Sequence, residues 1–192
     1  MFDQALRQHR DVFARLDALQ PAVQAVAQLM ATCLRQGGKL MFCGNGGSAA
    51  DSQHLAAEFT GRFRNDRAPL AALALSTDSS ALTCIGNDYG FDHVFERQVR
   101  ALGLPADMLV AISTSGRSAN VLLAARAAKN KGLTVVGLLG RDGGELASLC
   151  DLSVVVPAQD TARIQEAHIF IGHLWCEMVE AALAAPAASD DS

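Results

Sequence analysis

Five short apolar runs, at residues 40–43, 71–75, 108–112, 134–138 and 152–156, recur along the chain, and each is followed by a stretch long enough for a helix. No other feature limits the fold as much. A strand that is apolar at nearly every position needs cover on both faces, which is the condition of a parallel sheet flanked by helices. The helical stretches lie at 48–62, at 79–102 in two pieces divided near 87–90, at 118–131 and at 144–149. A long final helix covers about 161–184. The expected fold is therefore α/β: a doubly wound, five-stranded parallel sheet with N-terminal helices. Such sheets bind ligands where the carboxyl ends of strands run into helix N-termini.

Residues 1–36 read as a helical pair. Leu6, Phe13 and Leu16 fall at helical spacing, Pro21 is expected to break the run before a second helix over 22–36, and Gly37 and Gly38 to end it. With little sheet of its own to cover, this pair is expected to be an oligomer contact, leaving 37–192 as the ligand-binding part of one domain. A chain of 192 residues is enough for one such core. The tail after Pro186 reads as frayed.

Half of the residues are hydrophobic and 19% are charged, which excludes a disordered chain. The net charge is −4 with no run of like charges, so nothing here supplies the basic patch that nucleic acid requires. No apolar run reaches about 18 residues, and no basic-then-apolar leader opens the sequence. No membrane partner is expected, and the protein is expected to be soluble and cytoplasmic. The five cysteines are scattered without a C-x-x-C pair and read as free thiols.

Chemistry enters at the strand–helix junctions. The run at 108–112 leads through Ser113-Thr114-Ser115-Gly116-Arg117-Ser118 into a helix. Backbone N–H groups in the first turn of a helix have no intrahelical partner and carry partial positive charge, so they suit a phosphate dianion. Ser113, Thr114, Ser115 and Ser118 add hydroxyl donors, and Gly116 lets the backbone approach closely. Ser118 also serves as an ordinary N-cap on the same evidence. Arg117 has no fixed direction and reads equally as a solvated residue. A second junction, Gly44-Asn45-Gly46-Gly47-Ser48, fits neither the dinucleotide fingerprint nor the P-loop. Its glycines permit a tight turn that brings Asn45 and Ser48 near a polyhydroxyl ligand.

On the following helix His54 and Glu58 are four residues apart and share a face. An imidazole and a carboxylate so placed make half a site for zinc, or a plain surface hydrogen bond. Gln165, His168 and His173 lie on the last helix. Eight residues of regular helix span about 12 Å and miss alignment by about 80°. Gln165 and His173 therefore reach one metal only if the helix is irregular or if the site is completed across a subunit interface.

Taken together, the segments from Gly44 to Asp51, Gln53-His54-x-Ala-x-Glu58-Phe59, Gly86-Asn87-Asp88-Tyr89-Gly90, the serine loop and Asp160-Thr-x-x-Ile-Gln165-Glu-x-His168-x4-Gly172-His173 resemble those of the phosphoheptose isomerases, members of the sugar-isomerase (SIS) domain superfamily. The resemblance covers nearly the whole chain and implies that the doubly wound sheet is of the flavodoxin-like kind. It implies conversion of sedoheptulose 7-phosphate to glycero-manno-heptose 7-phosphate through an enediol, the first step toward the nucleotide-activated heptose of lipopolysaccharide. It further implies that Asn45, Gly46, Gly47, Glu58, Asn87, Asp88 and Gln165 contact the sugar, and that Ser113, Thr114, Ser115 and Ser118 hold the phosphate. A zinc ion on His54, Glu58, Gln165 and His173, an acid/base pair of Glu58 and His173, and a homotetramer with sites at subunit contacts complete the expectation. The alternative is a non-catalytic SIS-domain protein that binds the bacterial replication initiator. That branch lacks the acidic group at the Glu58 position and the imidazole at the His173 position, and this chain has both.

Overall fold

A computed structural model describes residues 1–184; the tail read as frayed lies outside the described residues. The sheet has five strands: β1 (Leu40–Cys43), β2 (Ala72–Ala74), β3 (Met108–Ser113), β4 (Thr134–Gly140) and β5 (Leu152–Val156). All neighbours are parallel, in the order β2-β1-β3-β4-β5. The helices are α1 (Phe2–Phe13), α2 (Gln20–Arg35), α3 (Gly47–Thr60), α4 (Ser79–Tyr89), α5 (Val94–Leu102), α6 (Ala119–Asn130), α7 (Gly144–Leu149) and α8 (Thr161–Ala184). The division foreseen near 87–90 is a real break: α4 ends at Gly90, whose φ of 87° only glycine adopts readily, and a single 3₁₀ turn leads into α5.

The two faces of the sheet have separate cores. Met108, Val110 and Ile112 of β3 pack with buried residues of α2, α3 and α8, while Leu109 and Ala111 point the other way, toward α5, α6 and α7. All six β3 residues are buried, because successive side chains alternate between two covered faces. Trp175 of α8 is buried and donates its indole N–H to the carbonyl of Val23 on α2 at 3.1 Å.

The N-terminal pair differs from its sequence reading in two respects. Pro21 does not precede the second helix but sits in its first turn, where a missing N–H costs no hydrogen bond. And α2 has sheet to cover: Val26, Met30 and Ala31 are buried in the main core. It ends as foreseen, with Gly37 at φ 78° and the N–H groups of Gly37 and Gly38 donating to the carbonyls of Leu34 and Cys33 at 3.1 and 3.0 Å.

The crossover from α3 to β2 has no regular structure over residues 61–71, yet it is tied down. Glu180 of α8, 4% exposed, accepts N–H groups from Phe63 at 2.8 Å and from Arg64 and Asn65 at 3.2 Å, and the Arg67 Nε at 3.0 Å. Burial pushes this carboxyl upward, and the donors outweigh it and hold it below the usual range. Among the described residues all five cysteines are free, and no helix is long and apolar enough to cross a membrane.

His168, on the face of α8 turned to the sheet, is fully buried. Its Nε2 lies 2.9 Å from the carbonyl of Leu139, and its Nδ1 has no partner. Burial lowers its pKa from 6.5 to about 4. The native chain therefore keeps His168 neutral at pH values where the unfolded chain protonates it. Stability present above about pH 6.5 should fall as the pH drops toward 4, by about 3 kcal/mol from this residue. Urea midpoints across that range, at fixed protein concentration, should show this slope, and His168→Leu should flatten it.

Candidate active site

In the order β2-β1-β3-β4-β5 the winding reverses between β1 and β3, and the strand ends part there to leave a crevice. Both glycine- and serine-bearing loops open into it. Past β1 the chain turns at Gly46, with φ 57°, into α3. A Cβ on Gly47 would lie 2.5 Å from Nε2 of Gln165, so the loop and the start of α8 are in contact. Past β3 the chain turns at Gly116, with φ 64°, and a Cβ there would fall 1.8 Å from the carbonyl oxygen of Gly143.

A cleft of about 250 Å³ lies between these loops and the N-terminal turn of α8. Asn45, Gly46, Gly47 and Ser48 line it from the first loop, Ser113, Thr114 and Ser118 from the second, and Thr161 and Gln165 from α8. Neither α3 nor α6 has a side-chain N-cap bond or an acidic residue in its first turn. Two helix N-termini thus meet the cleft with their positive ends unneutralised. Ser118 is no side-chain cap; its Oγ stands 3.4 Å from that of Ser113, which accepts the Gly116 N–H at 3.1 Å. Ser115 stands outside the lining, its Oγ accepting the Arg117 N–H at 3.3 Å. The guanidinium of Arg117 is turned to Asp142, at 2.9 and 2.6 Å on the exposed surface, and holds that carboxyl at about 2.

Asn120 escaped the sequence reading. It is buried in the first turn of α6 and exchanges two amide hydrogen bonds with Asn45, each 2.8 Å. This pair latches the first loop to the helix behind the second. The available signal was an amide four residues before Ala124, on the face that α6 buries.

A second cluster lies further along α3. Nε2 of His54 is 3.0 Å from Nε2 of His173 on α8 and 3.3 Å from Oε1 of Glu58. Ligand atoms about 2.0–2.1 Å from a tetrahedral zinc are about 3.3 Å apart, so two imidazoles and a carboxylate at these separations are chemically suited to that ion. They form an open chain centred on His54: among the described residues no three or more His, Cys, Asp or Glu groups are drawn into a ready-made cage. Burial lowers the pKa of His173, and His54 adds to the effect against an opposing contribution from Glu58. One turn before His54, Asp51 has a buried Oδ2 without a partner, and burial pushes its carboxyl up to about 6.

α8 is continuous, so Gln165 sits in the loop cleft while His173, two turns on, meets His54. Asn87 and Asp88 do not line the cleft. They lie on α4, which buries none of its residues, and Asn87 donates to Asp88 at 2.8 Å.

Removing one amide of the pair, of which Asn120 is buried and Asn45 half-buried, leaves the other without its partner. Asn120→Ala should therefore cost about 1–3 kcal/mol of unfolding free energy. The double variant with Asn45→Ala should lose less than the sum of the two single losses, as a denaturant-unfolding cycle would show.

Over residues 6–140 the chain matches the SIS domain. It is 57% identical to the phosphoheptose isomerase of Rhodospirillum rubrum over 90% of this chain and 92% of that one. The structure of the phosphoheptose isomerase of Neisseria gonorrhoeae superposes with a TM-score of 0.83 at 51% identity, covering 94% of this chain and 95% of that one. One from Francisella tularensis gives 0.86 at 37% identity, covering 94% of each chain. With an anion-suited cleft beside an imidazole–carboxylate cluster, and relatives matched over nearly their full length, this chain belongs to the phosphoheptose isomerase family of SIS-domain proteins.

Proposed function

We propose that the chain interconverts D-sedoheptulose 7-phosphate and D-glycero-D-manno-heptose 7-phosphate. The observation that carries this is the course of α3. It begins in the cleft at Gly47 and presents His54 and Glu58 two to three turns later. A phosphate held at one end of the helix thus leaves the rest of an extended sugar to reach groups able to move protons.

In this reading Ser113, Thr114 and Ser118 take the phosphate with the free N–H groups of α6, while the Ser115 hydroxyl stays turned to the Arg117 N–H, and Asn45, Gly46, Gly47 and Gln165 contact the hydroxyls. Glu58 removes a proton from C1 of the ketose, the O1 hydroxyl proton passes to O2, and C2 receives a proton, giving the aldose by way of an enediol. His173 is suited to carry a proton because its lowered pKa favours the neutral ring, which both accepts and donates. Zinc belongs to the same proposal, with His54, Glu58, His173 and Gln165 as its donors. When bound it would polarise the sugar carbonyl and stabilise negative charge on oxygen. A carboxylate that ligates a metal has fewer lone pairs for proton transfer, so Glu58 and His173 divide the acid/base work between them.

A homotetramer is also part of the reading. Phe2 and Leu6 on α1, Leu29 on α2 and Phe170 on α8 are exposed apolar side chains that a neighbouring copy would cover. The same assembly would bring Asn87 and Asp88, on the uncovered α4, to a neighbour's cleft, and would let Gln165 and His173 serve sites built from two subunits. The free thiols agree with a reducing, cytoplasmic setting. The reading as a replication-initiator partner is not favoured, because the relatives at 50–61% identity are phosphoheptose isomerases.

Purified protein incubated with sedoheptulose 7-phosphate should form the aldose, followed by NMR. Glu58→Gln should lower kcat by about 10²–10⁴, the range for loss of a positioned acid/base group. A strong chelator should abolish turnover and added zinc restore it. Wild-type protein that is inert with zinc present would defeat the isomerase reading, and an undiminished Glu58→Gln would remove Glu58 from the mechanism.

A further inference from the structure

The α3–β2 crossover passes beside the imidazole cluster and supplies one side of it. Phe63 lies face to face with His173, ring centroids 5.4 Å apart and planes 25° from parallel. His54 meets the same imidazole with its ring tilted by 59°, the centroids 5.1 Å apart. The ring of Phe63 is covered in turn by the guanidinium of Arg64, 5.4 Å from its centroid, and Arg64 is held by Glu177 of α8 at 2.6 Å.

The χ2 torsion of a histidine is broad, so neighbours must fix the plane of its ring and with it the directions in which its two ring nitrogens point. The hydrogen bond to His54 fixes one atom and leaves the ring free to swing about it. A flat face packed at stacking distance removes that swing. For this to work Phe63 must itself be fixed, although it sits in a segment without helix or strand.

The anchor is Glu180. It lies seven residues after His173 on α8, about two turns, and so projects from nearly the same face. Its carboxylate accepts the N–H of Phe63 itself and those of the next two residues. Arg67, paired with Glu180, donates to the carbonyls of Glu58 and Phe59 at 2.8 and 2.9 Å, which closes the segment onto the end of α3. One buried carboxylate thus sets the position of Phe63 relative to the helix that carries His173.

We propose that Phe63 is a positioning residue for the isomerisation, its ring setting the plane of His173, and that Glu180 positions Phe63 by holding the backbone beneath it. This rests on the assignment of proton transfer to His173.

The test uses the full chain. In Phe63→Leu, kcat with sedoheptulose 7-phosphate should fall about tenfold while KM stays within about twofold, because the misplaced group acts on the reacting atoms and not on the phosphate. Phe63→Tyr, which keeps the flat face, should restore kcat. Thermal unfolding should be nearly unchanged in both, since Phe63 is only partly buried. In spectra of histidine labelled at Cε1, the ring-current shift of His173 should be present in the wild type and Phe63→Tyr and lost in Phe63→Leu. Glu180→Gln should show the same loss of kcat and shift; where it fails to fold, the Phe63 pair decides alone. A Phe63→Leu variant with wild-type kcat, or with an unmoved His173 resonance, overturns the proposal. His173→Asn separates the two levels: full activity there overturns the role of His173, whereas its inactivity beside a fully active Phe63→Leu overturns only the role of Phe63. The resonance shift needs no turnover, so it judges the stacking even if the sugar phosphate is not converted.

Discussion

Everything at the site follows from a parallel sheet that must be covered on both faces. β1 and β3 are neighbouring inner strands, buried at every position, and the helices that follow them pack on opposite faces. That divergence parts the two chains at the carboxyl edge and points two helix N-termini into one gap. Nothing in the loops has to create the anion-suited cleft from flexible parts. The loops need only stay out of its way, and this is where the glycines act. At Gly116 the backbone conformation and the carbonyl of Gly143 leave no room for a side chain. Between Gly47 and Gln165 the space for a methyl group is already filled.

Much of this was legible in the chain because the relevant signals are local. Continuous apolar runs specify doubly covered strands, and hydroxyls ahead of a helix specify a place for an anion. The order of strands was legible only through the resemblance, since periodicity does not say which strand lies beside which. Pro21 misled about the start of α2 because a proline reads as a break, whereas the first turn of a helix tolerates it. The core role of α2 was hidden for a related reason: its buried face is apolar, but sequence alone does not say whether sheet or subunit covers it.

The parts of the site that escaped are those made by distant pairs. Asn120 gave little sign of its partner 75 residues away. Phe63 and Glu180 lie in stretches with no motif, and their meaning appears only when α8 is laid against the crossover. Along α8 the legible quantity is distance rather than pattern. Eight residues of regular helix separate Gln165 from His173, and the fold sends them to different neighbours within one subunit.

That helix has a consequence for how the chain can change over time. Gln165 touches the loop cleft, His168 the sheet, His173 the imidazole cluster and Glu180 the crossover. Adding or deleting a single residue within this stretch would turn everything beyond it by about 100° and slide it by about 1.5 Å. No local adjustment could restore four separate registers at once. Point substitutions can accumulate along α8, but its length between Gln165 and Glu180 is closed to drift, so related chains are free to gain or lose residues in the loops while this interval keeps its count.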